Sequence, residues 1–224
     1  MNSNIESMRE DFARDGFVLV PQLFRAEECE ELKSEALRIL QGGDEAATVM
    51  VGAAAASPKF RALSDDERVV NILRALMPEG VAFLSDKIVF KSGEQTFATP
   101  WHCDAAYWPN TRPKISAWIA LDAAGENNGA LKVVPRSHLQ SWNHDGDGAP
   151  NNEFAASVTP TWNAQDEIVC SLPQGGAIFF SDRLLHASCE NPARADRYSI
   201  ISTYHAPADD EPFDLHFPAR HVVA

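Results

Sequence analysis

Two positions apart in this chain stand an imidazole and a carboxylate, His102 and Asp104, in the run Trp101-His102-Cys103-Asp104. A second imidazole, His186, follows 84 positions after the first (186 − 102 = 84). Two histidines and one carboxylate form the facial donor set for ferrous iron, a set that leaves the remaining coordination positions open. Open positions allow an ion to hold an organic co-substrate and dioxygen together, so the pattern predicts oxidative chemistry rather than metal storage. A lone His-x-Asp triplet is a common accident; the distant histidine and the β-rich surroundings give it weight. Arg197 stands 11 residues beyond His186 (197 − 186 = 11), with Ser199 two further on. From an inward-facing strand, the Arg197 guanidinium is able to form a bidentate pair with a carboxylate, and Ser199 adds a hydroxyl donor on the same face. The plainer alternative is a surface arginine paired with Asp196. That alternative suits Arg194 better, because residues 198–204 read as a strand.

Elements must bring these side chains together. A strand sends residues i and i+2 to one face, so His102 and Asp104 both point inward from a strand end. The apolar run at 177–180 and a short turn carry His186 to the mouth of the same barrel. The first third of the chain is predicted to be mainly helical. An amphipathic helix covers 5–14, a short buried strand covers 16–21, and a second helix covers 25–40, stopped by Gly42-Gly43. A third helix is expected over 64–77, opened by a capping box at Ser64-Asp65-Asp66-Glu67 and ended by Pro78. From Val81 onward the texture changes to strands at 82–89, 115–121, 130–134, 167–172, 177–180 and 198–204, with Gly, Pro and Asn between them. Strands at this spacing indicate a sandwich or jelly roll. The polar stretch 141–152 reads as a surface loop or lid. The expected fold class is therefore α+β and mainly β, a cupin-like double-stranded β-helix with N-terminal helices packed on one sheet. One domain is expected over 1–224: a helical part at about 1–80, a jelly-roll core at about 81–205 and a tail at 206–224.

Charge narrows the partners. With 32 acidic against 19 basic side chains the net charge is −13, a field that repels nucleic acid and anionic membranes. No segment approaches the roughly 20 apolar residues of a membrane span. The start, Met1-Asn2-Ser3-Asn4-Ile5-Glu6-Ser7, lacks the basic region and apolar core of a secretory signal, so a cytoplasmic location is expected. Cys29, Cys103, Cys170 and Cys189 are scattered and read as reduced thiols, which suits a site that must keep iron ferrous. Monomer and homodimer both remain open.

Four runs carry a resemblance. They are Pro100-Trp101-His102-Cys103-Asp104-Ala105-Ala106-Tyr107-Trp108, Ala117-Trp118-Ile119-Ala120-Leu121-Asp122, Asn128-Gly129-Ala130-Leu131-Lys132-Val133-Val134-Pro135-Arg136-Ser137-His138, and His186-Ala187-Ser188 with Asn191 and Arg197. In this order, across about 17–204, the chain resembles the phytanoyl-CoA dioxygenase family of iron(II)/2-oxoglutarate oxygenases. The resemblance implies that His102, Asp104 and His186 bind Fe(II) and that Arg197 meets the distal carboxylate of 2-oxoglutarate. It also implies that Ser188 and Trp118 line the co-substrate pocket, although both have an ordinary structural reading. The activity so implied is a dioxygenase that hydroxylates an unactivated C–H bond of a small metabolite, consuming 2-oxoglutarate and O2 and releasing succinate and CO2.

Two departures from the family pattern stand out. Cys103 occupies a position often filled by Gln and is expected to alter the co-substrate wall. Arg136 replaces the Gly usual before Ser-His and is expected to bring a cation near the entrance. Related halogenases carry a small residue in place of the carboxylate, so Asp104 predicts hydroxylation or a related oxidation; desaturation, cyclisation and epimerisation share its first step. Tyr107, Trp108, Asn110 and Arg112 are candidates for a substrate wall, and Arg136, His138, Asp182 and Arg183 for polar contacts. Cations around a pocket in an acidic protein favour a polar or anionic small molecule. His138, His144, His205, His216 and His221 are assigned no metal role. Two other readings compete: a cupin-like isomerase or hydrolase that uses its metal as a Lewis acid and needs neither 2-oxoglutarate nor Arg197, and a non-catalytic binding module.

Overall fold

The structure, a computed structural model, describes residues 2–40, 49–93, 98–108, 111–144, 157–207 and 219–223. Helices come first: α1 (Asn2–Asp15), α2 (Ala26–Leu40), α3 (Ala53–Ala56), α4 (Pro58–Ser64) and α5 (Glu67–Leu76). Two strands lie among them, β1 (Phe17–Val20) and β2 (Val49–Val51). The rest is mostly strand: β3 (Ala82–Lys91), β4 (Lys114–Ala120), β5 (Leu131–Val133), β6 (Ile168–Cys170), β7 (Ala177–Ser181), β8 (His186–Ser188), β9 (Arg197–His205) and β10 (His221–Val222).

Two antiparallel sheets face each other as a jelly roll, the fold expected from the sequence. The larger runs β1-β7-β4-β9-β3-β10, with β2 also on β3, and the smaller runs β6-β5-β8. Every residue of β4, β7 and β9 is buried, because the helices cover one face of the large sheet and the small sheet covers the other. That double burial suits the apolar run of β7, while β9 buries Arg197, Ser199, Ser202, Thr203 and His205 along with its apolar residues. On the helix side, Cys29, Leu32, Phe60 and Leu73 pack against Ile88, Ile119, Phe179, Ile200 and Tyr204. Between the sheets, Trp118, Ile178, Phe180 and Ile201 meet Leu131, Val133 and Cys170. Outside the small sheet, Trp101, Cys103, Val134, Leu185 and Ala187 form a third cluster against Trp142 and Trp162.

The helix expected over 64–77 is α5, which starts three residues later at Glu67, and a separate helix, α4, ends at Ser64. Ser57 caps α4 by accepting from the Lys59 amide at 3.2 Å, and Pro58 follows at the first turn. Ser64 is the last residue of α4, and its hydroxyl donates back to the Arg61 carbonyl at 2.7 Å. Asp66 is the true cap of α5, accepting from the Arg68 amide at 2.9 Å. The 206–224 segment is not a bare tail, since β10 joins the large sheet with His221 opposite Phe83. Gly42, Gly43, Asn110, His216 and most of the 141–152 stretch lie outside the described residues.

A candidate metal centre and its cation-lined neighbour

His102 lies on no regular strand. It joins the edge of the small sheet by a reciprocal pair: its amide donates to the His186 carbonyl and the His186 amide donates to its carbonyl, both at 3.0 Å. Alternation then decides direction. Trp101 and Cys103 face the outer cluster while His102 and Asp104 face inward, and along β8 Ala187 faces out while His186 and Ser188 face in. Asp104 opens a 3-10 turn, Asp104–Tyr107, whose Ala105 amide donates to the Asp182 carbonyl at 2.8 Å and fixes the turn on the β7–β8 connection.

The three inward groups converge. Asp104 Oδ1 lies 3.6 Å from His102 Nε2 and 3.7 Å from His186 Nε2, and all three ligand atoms lie within 4.8 Å of one another. Two donors each about 2.1 Å from one ion stand at most about 4.2 Å apart, so each Asp–His pair has the reach to share one. Each ring's other nitrogen is engaged by a carbonyl two residues upstream: His102 Nδ1 at 2.8 Å from Pro100 O, His186 Nδ1 at 3.0 Å from Leu184 O. A carbonyl only accepts, so each Nδ1 carries the hydrogen and each Nε2 presents its lone pair to the shared point. Burial, with His102 adding to it, pushes His186 down to about 4 and keeps it neutral, the form that binds metal. Burial alone would raise Asp104; His186, Lys87 and His102 outweigh it and hold its carboxyl well below the usual range. Among the described residues this trio is the one metal-capable cluster.

The same interior continues to a second cluster on the large sheet. Arg197 on β9 is buried, and its Nη1 donates to Ser199 Oγ at 2.8 Å. Its guanidinium lies 5.3 Å from the centre of the Trp118 ring. Arg197 Nε is buried with no hydrogen-bond partner. Directly across the ladder stands Lys91, absent from the sequence-based candidates. The strand expected to stop at Val89 runs two residues further, because Phe90 stacks on Tyr198 at 4.4 Å and Lys91 turns inward. Lys91 Nζ donates to Ser188 Oγ at 2.9 Å and to the Cys189 carbonyl at 3.0 Å. The Thr99 amide also donates to Ser188 Oγ, at 2.8 Å. With both of its acceptor sites taken, the Ser188 hydroxyl has its proton to give. Burial pulls Lys91 down to about 8, with Arg197 adding to the effect, and burial pulls Arg197 down to about 10.

Gly129 makes room for this lysine. It sits at φ +85°, and a Cβ there would come 2.5 Å from Lys91 Cδ, so the Asn-Gly turn before β5 doubles as clearance for the cation.

Other sequence-based candidates land elsewhere. Cys103 does not line the interior: its thiol donates to the Arg183 carbonyl at 3.3 Å in the outer cluster. Arg136 is exposed, with its amide on the Asp15 carbonyl, and His138 lies against Gly16 with Nε2 3.3 Å from the Ala13 carbonyl. Trp108 carries the Lys114 ammonium 5.3 Å from its ring centre. Tyr107 stands near the trio, edge-on to the His102 ring at 6.3 Å. Asp182 is buried and pushed up to about 6 by desolvation, while Arg112 and Arg183 are exposed. All four cysteines are free and buried. No helix among the described residues is long and apolar enough to cross a membrane.

The profile of the phytanoyl-CoA dioxygenase (PhyH) family matches residues 12–199, most of the chain. The chain belongs to that family. Among curated relatives, a methylphosphonate hydroxylase of Gimesia maris is 29% identical over 154 residues, covering 68% of this chain and 56% of that protein. An ectoine dioxygenase of Stutzerimonas stutzeri is 25% identical over 230 residues, covering 87% of this chain and 74% of that one. Among solved structures, the epimerase SnoN in complex with Fe3+, alpha ketoglutarate and nogalamycin RO superposes with a TM-score of 0.77 at 22% identity, over 92% of this chain and 84% of that one. The chain thus spans little more than half the length of the first of these relatives, and the likeness to SnoN is one of fold. The family is described as one of dioxygenases, and the SnoN structure holds Fe3+ and alpha ketoglutarate. The donor chemistry here fits such groups: a His pair with a carboxylate for an ion, and an orphaned Nε donor on Arg197 for a carboxylate.

Proposed function

We propose that this protein is an iron(II)- and 2-oxoglutarate-dependent dioxygenase that hydroxylates, or otherwise oxidises, an unactivated C–H bond of a small polar or anionic metabolite in the cytoplasm. When bound, iron with 2-oxoglutarate and dioxygen supplies the oxidising power and releases succinate and CO2. His102, Asp104 and His186 would hold the ion on one face. Their Nδ1–carbonyl hydrogen bonds keep each imidazole in the metal-binding tautomer throughout. Arg197 would take the distal carboxylate of the co-substrate through Nε and its free edge, while Ser199 fixes the guanidinium plane. Ser188 would add its hydroxyl proton, and Lys91 holds that hydroxyl in place. Trp118, Ile178, Phe180 and Ile201 keep the space between the two clusters apolar and exclude water.

The observation that carries this reading is the unpartnered, buried Arg197 Nε on the same interior as the His-Asp-His trio. A buried guanidinium nitrogen lacking an acceptor is costly, and a Lewis-acid isomerase or hydrolase gives no reason to keep one. The test is succinate formation from 2-oxoglutarate under air with Fe(II) and ascorbate, together with co-substrate binding. Wild type is expected to bind 2-oxoglutarate at least about tenfold more tightly than Arg197→Ala, the loss of one charged contact. Equal affinity would remove the co-substrate from the reading.

A further inference from the structure

Lys87 is a cation that makes no hydrogen bond to either cluster among the described residues. Along β3 the outward residues are settled: Asp86 accepts the Ala54 amide with both oxygens at 3.0 Å, Ile88 lies in the helix-side core and Phe90 stacks on Tyr198. The alternate residues Lys87, Val89 and Lys91 therefore share the inner face, and Val89 packs with the apolar cluster between the sheets. Lys87 stands opposite Ile201, whose other neighbour is Trp118, so it sits in the row that floors the space between the trio and Arg197. Four residues from Lys91 along the strand, it lies about 13 Å away at roughly 3.3 Å per residue. It is half-buried and makes no hydrogen bond or ion pair among the described residues.

A half-buried ammonium with no hydrogen-bond acceptor has donors that a ligand anion would take. The co-substrate does not call for it. Of the two carboxylates of 2-oxoglutarate, one belongs at the metal and the other at Arg197 and Ser188. A third anionic group has to come from the primary substrate, and in a chain of net charge −13 an inward cation on the row between the two clusters is a selective feature. Resting on the oxygenase reading above, we infer that Lys87 is the anion anchor of the primary-substrate subsite, and that the substrate is a small molecule bearing an oxyanion such as a carboxylate or phosphonate. Bound through that group, its remaining carbon framework faces the metal, and a neutral analogue lacks the anchor.

The test titrates Mn(II)-loaded protein first with 2-oxoglutarate and then, at saturation, with inorganic phosphate or acetate as probe and acetamide as the neutral control. Phosphate and acetate are expected to bind wild type at least about tenfold more tightly than Lys87→Met, with Lys87→Arg retaining most of the affinity, as for one ion pair. Affinity for 2-oxoglutarate should stay within about threefold in both variants, and acetamide should bind none of the three. Equal anion binding by wild type and Lys87→Met, or no anion binding by wild type, overturns the inference. A tenfold or greater loss of 2-oxoglutarate affinity in Lys87→Met also overturns it, by assigning the lysine to the co-substrate. Failure of wild type to bind 2-oxoglutarate at all is a different result and counts against the oxygenase reading itself.

Discussion

At one end of the space between the sheets, three donors arrive on segments with little regular structure: His102 from an isolated bridge, Asp104 from a 3-10 turn, His186 from a three-residue strand. At the other end, Arg197, Ser199 and Lys91 project from two long strands paired along nearly their whole lengths. The metal end is held by backbone: the reciprocal His102–His186 amide pair and the Ala105–Asp182 bond survive when a ligand side chain is cut. The cation end is held by its side chains, which are themselves among the largest fully buried groups in the protein. Truncation should therefore cost function alone at the first end, and function and stability together at the second.

The largest expected effect is at the metal end. His102→Ala or Asp104→Ala should lower Fe(II)-dependent succinate formation by roughly 10³-fold or more, since a two-donor remnant no longer holds the ion for chemistry. The urea midpoint and far-UV circular dichroism should stay close to wild type. Collapse of the fold in both variants would show that the trio is structural and erase the contrast between the ends.

Next in size is the cation end. Arg197→Met should weaken 2-oxoglutarate binding by about 2–4 kcal/mol, roughly 30- to 1000-fold, the scale for removing one side of a buried charged contact. Lys91→Met should weaken it less, because the lysine acts through the Ser188 hydroxyl. Both should also shift thermal stability measurably, in opposite balance to the histidine variants. A calorimetric titration and a melting curve on each variant read the two effects separately.

A third, smaller effect is set by pH. The folded-state value for His186 is about 4, below the ordinary 6.5, because burial disfavours the charged ring. The unfolded chain therefore binds more protons between those values, and this residue's contribution to the stability of metal-free protein rises with pH across that window and is flat above it. Asp86 and Asp182, both raised to about 6 by burial, act with the opposite sign in the same window, so the wild-type curve alone does not isolate the histidine. The difference between wild type and His186→Gln does. It should grow in favour of wild type by on the order of 3 kcal/mol as pH rises through the window. Urea melts at pH 4.5, 5.5 and 7 check it, and a flat difference would mean that folding leaves the proton affinity of His186 unchanged.

The two ends also differ in how far the sequence discloses them. His102-x-Asp104 is legible because strand alternation is a local rule. Applied one residue over, the same rule sends Cys103 outward, against the expectation that it lines the co-substrate wall. Lys91 is not legible, since its burial depends on Ser188, 97 residues away, and on the clearance at Gly129. A lysine closing an apolar strand otherwise reads as a solvated end. The helix boundary went astray at Ser64 for a related reason. Ser-x-x-Glu satisfies the capping-box pattern, but the hydroxyl is already bonded back to Arg61 and the Asp66 carboxylate one turn edge later takes the cap. The fold class is legible because short strand-like runs follow one another from Val81 onward with Gly, Pro and Asn between them, a local spacing signal.

The smallest effect tests a backbone position that the sequence marked as unusual. Arg136, where the family pattern has glycine, adopts φ +68°, in the left-handed region, on the approach to the Ser137 hydroxyl that receives the Leu185 amide at 2.9 Å. A side chain there costs about 1–2 kcal/mol over a glycine in the same conformation, partly offset by the greater freedom glycine has when unfolded. Arg136→Gly should accordingly raise stability by about 0.5–1 kcal/mol, a few degrees in melting temperature, because the exposed side chain contributes no hydrogen bond among the described residues. Leu185 precedes His186, so the same turn braces the strand that carries the metal ligand. If the glycine variant is instead less stable, the arginine side chain makes a contact that stiffens β8. Affinity for Mn(II) should then fall with it, tying the metal end to its side chains as firmly as the cation end.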